Sequence, residues 1–227
     1  MKKISVLFLS VLVIIALVGV ISIIAAKNSG NSWREARCVD PIGSYTGFSF
    51  DTAGIGNDQP LGITQNGKYL WITDGSDAEV YQYLTNGTYT GFSFDTAVSG
   101  NDYPVGITKN DKYFWITDFN NAEVYRYLAN GTYTGFSFDT NASGNNEPTG
   151  ITQNGKYFWI AGGNNPKVYQ YWMNGTYIGS SFDTVTSGHD FETGITQNGK
   201  YFWVVDLNDA EVYRYSGPNL IKRIFCD

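Results

Sequence analysis

The sequence has few charged side chains, one histidine and two cysteines, and each shortage excludes a class of function. Asp, Glu, Lys and Arg make up 16% of the 227 residues, and the formal net charge is -6. Binding to nucleic acid requires an excess of Lys and Arg facing phosphates, so we predict no nucleic-acid partner. The single histidine, His189, cannot supply a paired-histidine active site. No Cys/His metal spacing and no glycine-rich phosphate loop is present, so we predict a non-enzyme without a cofactor.

Aromatic residues and glycine are abundant instead. The chain has 17 Tyr, 14 Phe, 6 Trp and 26 Gly. Aromatic and β-branched side chains favour pleated strands, and Gly with Asn favours tight turns. This composition excludes a helical bundle and predicts an all-β protein.

The first residues differ from the rest, because residues 4–26 form the one long run without charge. The run is long enough to span a bilayer, so we predict that residues 1–26 form a hydrophobic helix that acts as a signal-anchor. Small residues at its end leave a cleaved signal peptide as the alternative. We predict that residues 27–42 form a polar linker. We therefore predict that the protein is either held in the membrane at the cell surface by its N-terminal helix or secreted.

Outside the cell, Cys38 and Cys226 could form a disulfide that joins the two ends of the folded part. The alternative is two unrelated thiols. Asn-x-Ser/Thr acceptors for N-glycosylation occur at Asn86, Asn130, Asn141 and Asn174. Three of these are Asn-Gly-Thr sequences, which also favour tight turns.

A repeat of 44 residues organises the chain. Units 43–86, 87–130, 131–174 and 175–218 align without gaps. Each unit contains four strand signals separated by turn signals; in the second unit they cover residues 105–109, 113–117, 123–128 and 132–138. The second strand is apolar on both faces, so each sheet must be covered on both sides. Four-stranded antiparallel sheets with this period predict a four-bladed β-propeller over residues 43–218.

The ring needs a closure. Residues 45–51 form an outer strand without a blade of their own, and residues 219–227 could form a second closing strand. We favour closure within one chain. The alternatives are two chains that complete a larger ring, and self-association through the spare outer strand.

The units resemble NHL-type repeats and the related propellers of the streptogramin-lyase and gluconolactonase type. The resemblance rests on Gly-Ile-Thr (106–108), Tyr-Phe-Trp-Ile-Thr-Asp (113–118) and Asn-Ala-Glu-Val-Tyr-x-Tyr (121–127). It implies the fold, and it is shared by enzymes and binding proteins. A lyase of this kind would need a second histidine. A lactonase would need Glu, Asn and Asp around a metal, whereas the inner strands offer threonines.

Differences between the four units are concentrated in two loops, the one that enters each blade and the one between its second and third strands. Because strands alternate in direction, both loops lie on one face of the ring. Amide, carboxylate and aromatic groups on rigid loops suit binding of a glycan or a protein. The predicted ligand-binding residues are Asn57, Asp58, Asn101, Asp102, Tyr103, Phe119, Asn120, Asn145, Glu147, Asn164, His189, Asp190, Phe191 and Asn208.

Asp74, Asp118 and Asp206 end the second strand in three units, and Gly162 replaces them in the third. Such carboxylates could bind Ca²⁺, and they are weak candidates for a metal site. An Asp at this place more often caps its own turn, which is the interpretation we favour. The sequence thus predicts an extracellular, non-enzymatic binding module. A structural subunit of a surface layer or filament is the first alternative, and a metal-dependent lyase or lactonase is the second.

Overall fold

The computed structural model describes residues 47–185, 191–208 and 210–217. Contacts divide the chain into residues 1–48 and residues 49–227, and the account below concerns the second unit. The predicted hydrophobic helix (1–26), the linker (27–42), both cysteines and the closing strand (219–227) lie outside the described residues. Within the described residues, no helix has the length and apolar character needed to cross a membrane.

The described part is built from antiparallel strands, with a three-residue 3-10 turn before each of three blades. Four sheets follow one another along the chain, and each forms one blade. Blade 1 contains β1 (Pro60–Asn66), β2 (Tyr69–Asp74), β3 (Glu79–Leu84) and β4 (Tyr89–Asp95). Blade 2 contains β5 (Pro104–Lys109), β6 (Tyr113–Asp118), β7 (Glu123–Leu128) and β8 (Tyr133–Asp139). Blade 3 contains β9 (Pro148–Gln153), β10 (Tyr157–Gly162), β11 (Lys167–Trp172) and β12 (Tyr177–Asp183), and blade 4 contains β13 (Glu192–Gln197), β14 (Tyr201–Asp206) and β15 (Glu211–Ser216).

Each blade is a meander in which every strand pairs with the next one. In blade 2, Trp115 of β6 lies opposite Thr108 of β5 and Arg126 of β7. The predicted four-bladed propeller with antiparallel blades is therefore confirmed, and the strands predicted for the second unit match to within one residue at each end.

Asparagine side chains hold the hairpin turns. The Oδ1 atoms of Asn86, Asn130 and Asn174 each accept the backbone N–H of the threonine two residues later, at 3.1, 3.1 and 3.0 Å. The intervening glycine has a positive φ, +83° at Gly87, which a side chain would disfavour. These three glycosylation acceptors thus form turns, and their modification stays a prediction.

Aromatic side chains fill the space between blades. The second-strand tryptophan of blades 1, 2 and 3 contacts a phenylalanine of the following blade: for example, the ring centroids of Trp71 and Phe114 are 5.3 Å apart, and those of Trp115 and Phe158 are 4.7 Å apart. In both pairs the rings meet edge to face, a favourable geometry. The valine of the third strand in blades 1, 2 and 3 (Val80, Val124 and Val168) is completely buried in the same layer.

Glycines let the inner strands approach one another. A Cβ atom on Gly106 would lie 2.2 Å from the carbonyl oxygen of Thr149, and one on Gly62 would lie 2.2 Å from that of Val105. Next to this contact, the Thr117 hydroxyl donates a hydrogen bond of 2.6 Å to the Thr149 carbonyl. Backbone contact and a buried hydrogen bond therefore fix how blade 2 sits on blade 3.

Consecutive inner strands pack together, β1 on β5, β5 on β9 and β9 on β13, whereas β13 does not pack on β1 in this way. Blade 4 has three strands among the described residues, and residues 47–51, at the predicted outer strand 45–51, do not form a strand there. Closure of the ring within one chain stays a prediction.

Candidate ligand-binding face

The loops that differ between units lie on one face, as the alternation of strand direction requires. They are the connections into the inner strands (for example 96–103) and those between second and third strands (for example 119–122). We call this side the variable face. The hairpin turns, which are alike in all units, lie on the opposite side.

Aspartates anchor the loops that enter the blades. In each unit the Asp of the Asp-Thr pair accepts the backbone N–H two residues later; Asp95 Oδ1 accepts from Ala97 at 2.7 Å. The following threonine is buried, and the Thr96 hydroxyl donates to the carbonyl of Ala78 at 2.8 Å. The loops are therefore held rigidly before they reach the variable face.

Asp74, Asp118 and Asp206 form turn caps. The Asp118 carboxylate accepts backbone N–H groups from Asn120 at 2.9 Å, Asn121 at 3.0 Å and Asp102 at 3.0 Å. Burial raises the pKa of Asp118, and these hydrogen bonds oppose the rise. Burial also pushes the pKa of Asp74 upward, but hydrogen bonds from Ser76 and neighbouring backbone groups outweigh it, and the pKa falls below its usual value.

One cluster of carboxylates could hold a cation. Oxygen atoms of Asp58, Asp74 and Asp77 lie within 4.8 Å of one another. Asp74 Oδ1 already accepts the Ser76 hydroxyl at 2.7 Å and the Asp77 N–H at 3.1 Å. The Asp74 carboxylate therefore already accepts hydrogen bonds from its own turn. Calcium binding here is supported only by the preference of Ca²⁺ for carboxylate oxygens.

Three predicted ligand-binding residues are buried, so their assignment to a contact surface is wrong. Asn57, Asn101 and Asn145 have no exposed area. The Asn57 side-chain amide donates to the Tyr83 hydroxyl at 3.2 Å, and the backbone carbonyl of Asn101 accepts the Thr96 hydroxyl at 2.8 Å. These residues hold the entering loop against the blade, and a ligand cannot reach them.

An aromatic cluster lies on the variable face. The ring centroid of Phe119 is 6.1 Å from that of Tyr103 and 6.5 Å from that of Phe191. All three rings are partly exposed. The Gln59 amide donates to the Tyr103 hydroxyl at 3.1 Å, so blades 1, 2 and 4 all contribute to this cluster.

Two glycines make room for these rings, and sequence reasoning missed them. A Cβ on Gly163 would lie 3.3 Å from both Phe119 and Phe191, and one on Gly75 would lie 3.3 Å from the Tyr103 ring. The signal was available, because this position reads Gly75, Phe119, Gly163 and Leu207 in successive units, an alternation of small and large side chains.

Polar groups surround the aromatic cluster. Glu147 Oε2 accepts both the backbone N–H and the side-chain amide of Asn164. Asp58, Asp102, Asn120, Asn164 and Asn208 are exposed. Of the predicted ligand-binding residues, the structure thus brings Tyr103, Phe119 and Phe191 into contact and leaves the amides and carboxylates around them. His189 and Asp190 lie outside the described residues.

The inner strands and blade 4 line a cavity of about 410 Å³. Its wall combines apolar residues of the inner strands with glycines, threonines and three residues of β14 and β15: Leu61, Ile63, Ile107, Ile151, Ile195, Trp203, Val205 and Val212. No described wall residue carries a carboxylate or an imidazole. The wall therefore offers apolar contact and lacks the groups that acid–base or metal chemistry would use.

The opposite face carries a ring of cations. Lys68, Lys112, Lys156 and Lys200 recur in the first hairpin turn of each blade, and each ammonium group lies over the tyrosine that follows it at 4.9–5.2 Å from the ring centroid. The opposite face thus carries a lysine–tyrosine pair in each blade, whereas the variable face carries the cluster of Tyr103, Phe119 and Phe191 with acidic and amide groups around it.

No protein-family model matches the chain, and no curated protein sequence matches it. Solved structures do match in fold. A catalytically inactive virginiamycin B lyase from Staphylococcus aureus, solved with quinupristin, is 21% identical, with a TM-score of 0.51 over 72% of this chain and 56% of that one. The chain therefore spans a little over half the length of this lyase.

Two further structures have similar scores. Glutaminyl cyclase from Myxococcus xanthus gives a TM-score of 0.58 at 8% identity, over 70% of this chain and 66% of that one. A chain of a nidogen/laminin complex gives 0.50 at 17% identity, over 70% and 60%. The predicted resemblance to streptogramin-lyase-type propellers is confirmed for the fold. The similar structures include both enzymes and a protein complex, so activity does not follow from the fold.

Proposed function

We propose that this propeller is a non-enzymatic binding module that recognises a glycan through its variable face, with a protein ligand as the alternative. It acts outside the cell, attached to the membrane by the N-terminal segment or secreted. The observation that carries the proposal is the cluster of Tyr103, Phe119 and Phe191, three rings from two non-adjacent blades that meet in the centre of a rim of amides and carboxylates.

The chemistry of the cluster suits a sugar. Partly exposed aromatic rings offer apolar faces against which the C–H face of a sugar ring can pack. Amide and carboxylate groups such as Asn120, Asn164 and Glu147 provide acceptors and donors for hydroxyl groups. The loops that carry them are fixed by caps, so little conformational entropy is lost when the ligand binds.

Charge narrows the ligand class. Asp58, Asp102 and Glu147 lie on the variable face, and the net charge of the chain is -6. A sulfated or phosphorylated ligand would meet repulsion at this face. We therefore expect a neutral oligosaccharide, and a basic peptide surface if the ligand is a protein.

The test is an array of immobilised neutral, sialylated and sulfated oligosaccharides, probed with the wild-type protein and a Phe119→Ala/Phe191→Ala variant. We expect binding to neutral oligosaccharides and its loss in the variant. The matched control is Trp172→Ala, which removes an exposed ring (39% exposed) at a hairpin turn of the opposite face. Binding that the Phe119→Ala/Phe191→Ala variant retains, or that Trp172→Ala abolishes equally, would contradict the proposal.

A structural subunit of a surface layer or filament is the second candidate. The observation in its favour is the apolar flank of blade 4, where Val212 is 63% exposed. The lyase or lactonase alternative has only the fold in its support. Turnover of lactones or of a streptogramin antibiotic by the purified chain would replace the binding proposal.

A further inference from the structure

The chain makes the same blade-to-blade interface three times. In each interface, Trp and Val of one blade (Trp71 and Val80 in blade 1) pack against Ile and Phe of the next (Ile107 and Phe114 in blade 2). The same positions form the layers between blades 2 and 3 and between blades 3 and 4. The interface therefore has two different sides, which we call the trailing flank (Trp and Val) and the leading flank (Ile and Phe).

Blade 4 presents a trailing flank that no described residue covers in this way. Val80, Val124 and Val168 are completely buried, whereas Val212 at the same position is 63% exposed. Val205 is 39% exposed, although the equivalent residues of the other blades are fully buried. Trp203 is partly exposed, whereas Trp71, Trp115 and Trp159 at the same position are buried.

Blade 1 presents the complementary leading flank. Ile63 is 61% exposed, whereas Ile107 and Ile151 at the same position are 5% and 4% exposed. Leu61 is also exposed, and Val105 at its position in blade 2 is buried. One molecule thus exposes a trailing flank on blade 4 and a leading flank on blade 1, the two surfaces that pack together in its three complete interfaces.

The inner-strand glycines give the same result at atomic detail. Cβ atoms on Gly62, Gly106 and Gly150 would lie 2.2, 2.2 and 2.6 Å from backbone atoms of the next blade. A Cβ on Gly194, at the same position in blade 4, would meet only the Val205 side chain, at 3.7 Å and beyond. At the other three positions a neighbouring inner strand occupies the space next to the glycine. At Gly194 no described strand occupies this space.

Phe50 occupies an outer-strand position next to blade 1. Each outer-strand phenylalanine packs on a tyrosine of the next blade, with ring centroids 5.4 Å apart for Phe94 and Tyr127 and 5.5 Å for Phe138 and Tyr171. Phe50 packs on Tyr83 of blade 1 in the same way, at 5.3 Å. Phe50 lies in a Thr-Gly-Phe-Ser-Phe-Asp sequence that recurs in the outer strands β4 and β8. Blade 1 therefore offers a partner copy the same outer-layer contact that blades 2 and 3 receive from the blade before them.

We propose that two copies of the chain join end to end into one ring of eight blades. The trailing flank of blade 4 in each copy packs on the leading flank of blade 1 in the other. A two-fold axis repeats this contact on the other side of the ring, so the two copies form a closed, isologous pair.

The number of copies follows from the blades. Each step between blades is fixed by backbone contact at a glycine, and after three such steps β13 and β1 of one chain remain unpacked. Propellers typically have between four and eight blades, so rings can contain one or two copies but not three. Because β13 and β1 of one copy do not pack on each other, we expect two copies to complete the ring.

The test is the protein mass of the full-length chain in detergent, measured by size exclusion with multi-angle light scattering. We expect twice the chain mass of 25.2 kDa. Gly194→Ala adds one methyl group that the chain itself accommodates but the interface does not, so we expect single chains with an unchanged circular dichroism spectrum. Val212→Glu places a charge in the same interface and has the same expected result. Val98→Glu, at an exposed valine (82%) away from both flanks, is the control and keeps the double mass.

A wild-type protein of single-chain mass would overturn the proposal and favour closure within one chain. Species that grow without limit would overturn it in favour of an open filament. A double mass that survives both Gly194→Ala and Val212→Glu would also overturn it, because association would then arise elsewhere, such as in the N-terminal segment. If Val212→Glu fails to fold, Gly194→Ala decides.

Discussion

A methyl group at Gly106 tests how the blades are held together. In Gly106→Ala, the new Cβ would lie 2.2 Å from the Thr149 carbonyl oxygen, and 3.0 Å from both the Cα of Gly150 and the backbone N of Ile151. An ordinary contact between carbon and oxygen is more than 3 Å, so the inner strand of blade 3 must move by about 1 Å. All the obstructing atoms are backbone atoms of a buried strand, which cannot turn away as a flexible side chain would.

Overpacking of a core costs about 1–3 kcal/mol when side chains can adjust, and sometimes more. The rigid neighbours of Gly106 place this substitution at the upper end, at about 3 kcal/mol. For a domain of this size, a loss of 1 kcal/mol lowers the melting temperature by about 2–4 °C, so we expect a decrease of about 6–12 °C.

The assay is thermal unfolding followed by circular dichroism, with Gly54→Ala as the matched control. A Cβ on Gly54 would meet only Asp51 Oδ2, at 3.8 Å, and we expect a change within about 0.5 kcal/mol. If Gly106→Ala unfolds at the wild-type temperature, the inner strands are not in backbone contact and the reasoning about the blade interface is refuted.

Two further predictions concern buried polar groups. Thr117→Val removes the hydroxyl that donates to the Thr149 carbonyl at 2.6 Å and accepts the Gly106 N–H at 2.7 Å. We expect urea denaturation to show a loss of about 1–3 kcal/mol in the free energy of unfolding. An unchanged midpoint would mean that water replaces the hydroxyl. Burial raises the pKa of Glu192 from 4.5 to about 7. Between pH 4.5 and 7 the unfolded chain therefore binds fewer protons than the folded one, so the free energy of unfolding falls as pH rises, in total by about 3 kcal/mol. Glu192→Gln should remove this slope, whereas the exposed Glu211→Gln should keep it; a slope that survives Glu192→Gln would contradict the assignment.

The repeat made the fold predictable from the sequence. Four gapless copies of 44 residues fix the number of blades, and Asn-Gly pairs such as Asn130 and Gly131 fix where the hairpins turn, because both signals are local. The apolar second strand predicted that both faces of each blade are covered, and the tryptophan–phenylalanine layers between blades fulfil this prediction.

The candidate site was only partly predictable, because its geometry depends on contacts between blades. Asn57 and Asp58 are neighbours of the same polar kind, yet one is completely buried and the other exposed. The difference arises because the entering loop folds back to place the Asn57 amide on the Tyr83 hydroxyl. The approach of Phe119 to Phe191 likewise depends on Gly163 in the blade between them, which no local pattern encodes.

The central claim is that the aromatic cluster binds a ligand, and isothermal titration calorimetry tests it most directly. The titrant is the neutral oligosaccharide with the strongest array signal, added to wild-type protein, Tyr103→Ala and Trp172→Ala. A partly buried ring contact contributes about 1–2 kcal/mol to binding, so we expect the affinity of Tyr103→Ala to be roughly 5- to 30-fold weaker. We expect the affinity of Trp172→Ala to be unchanged. Equal affinity of the wild type and Tyr103→Ala would contradict the claim.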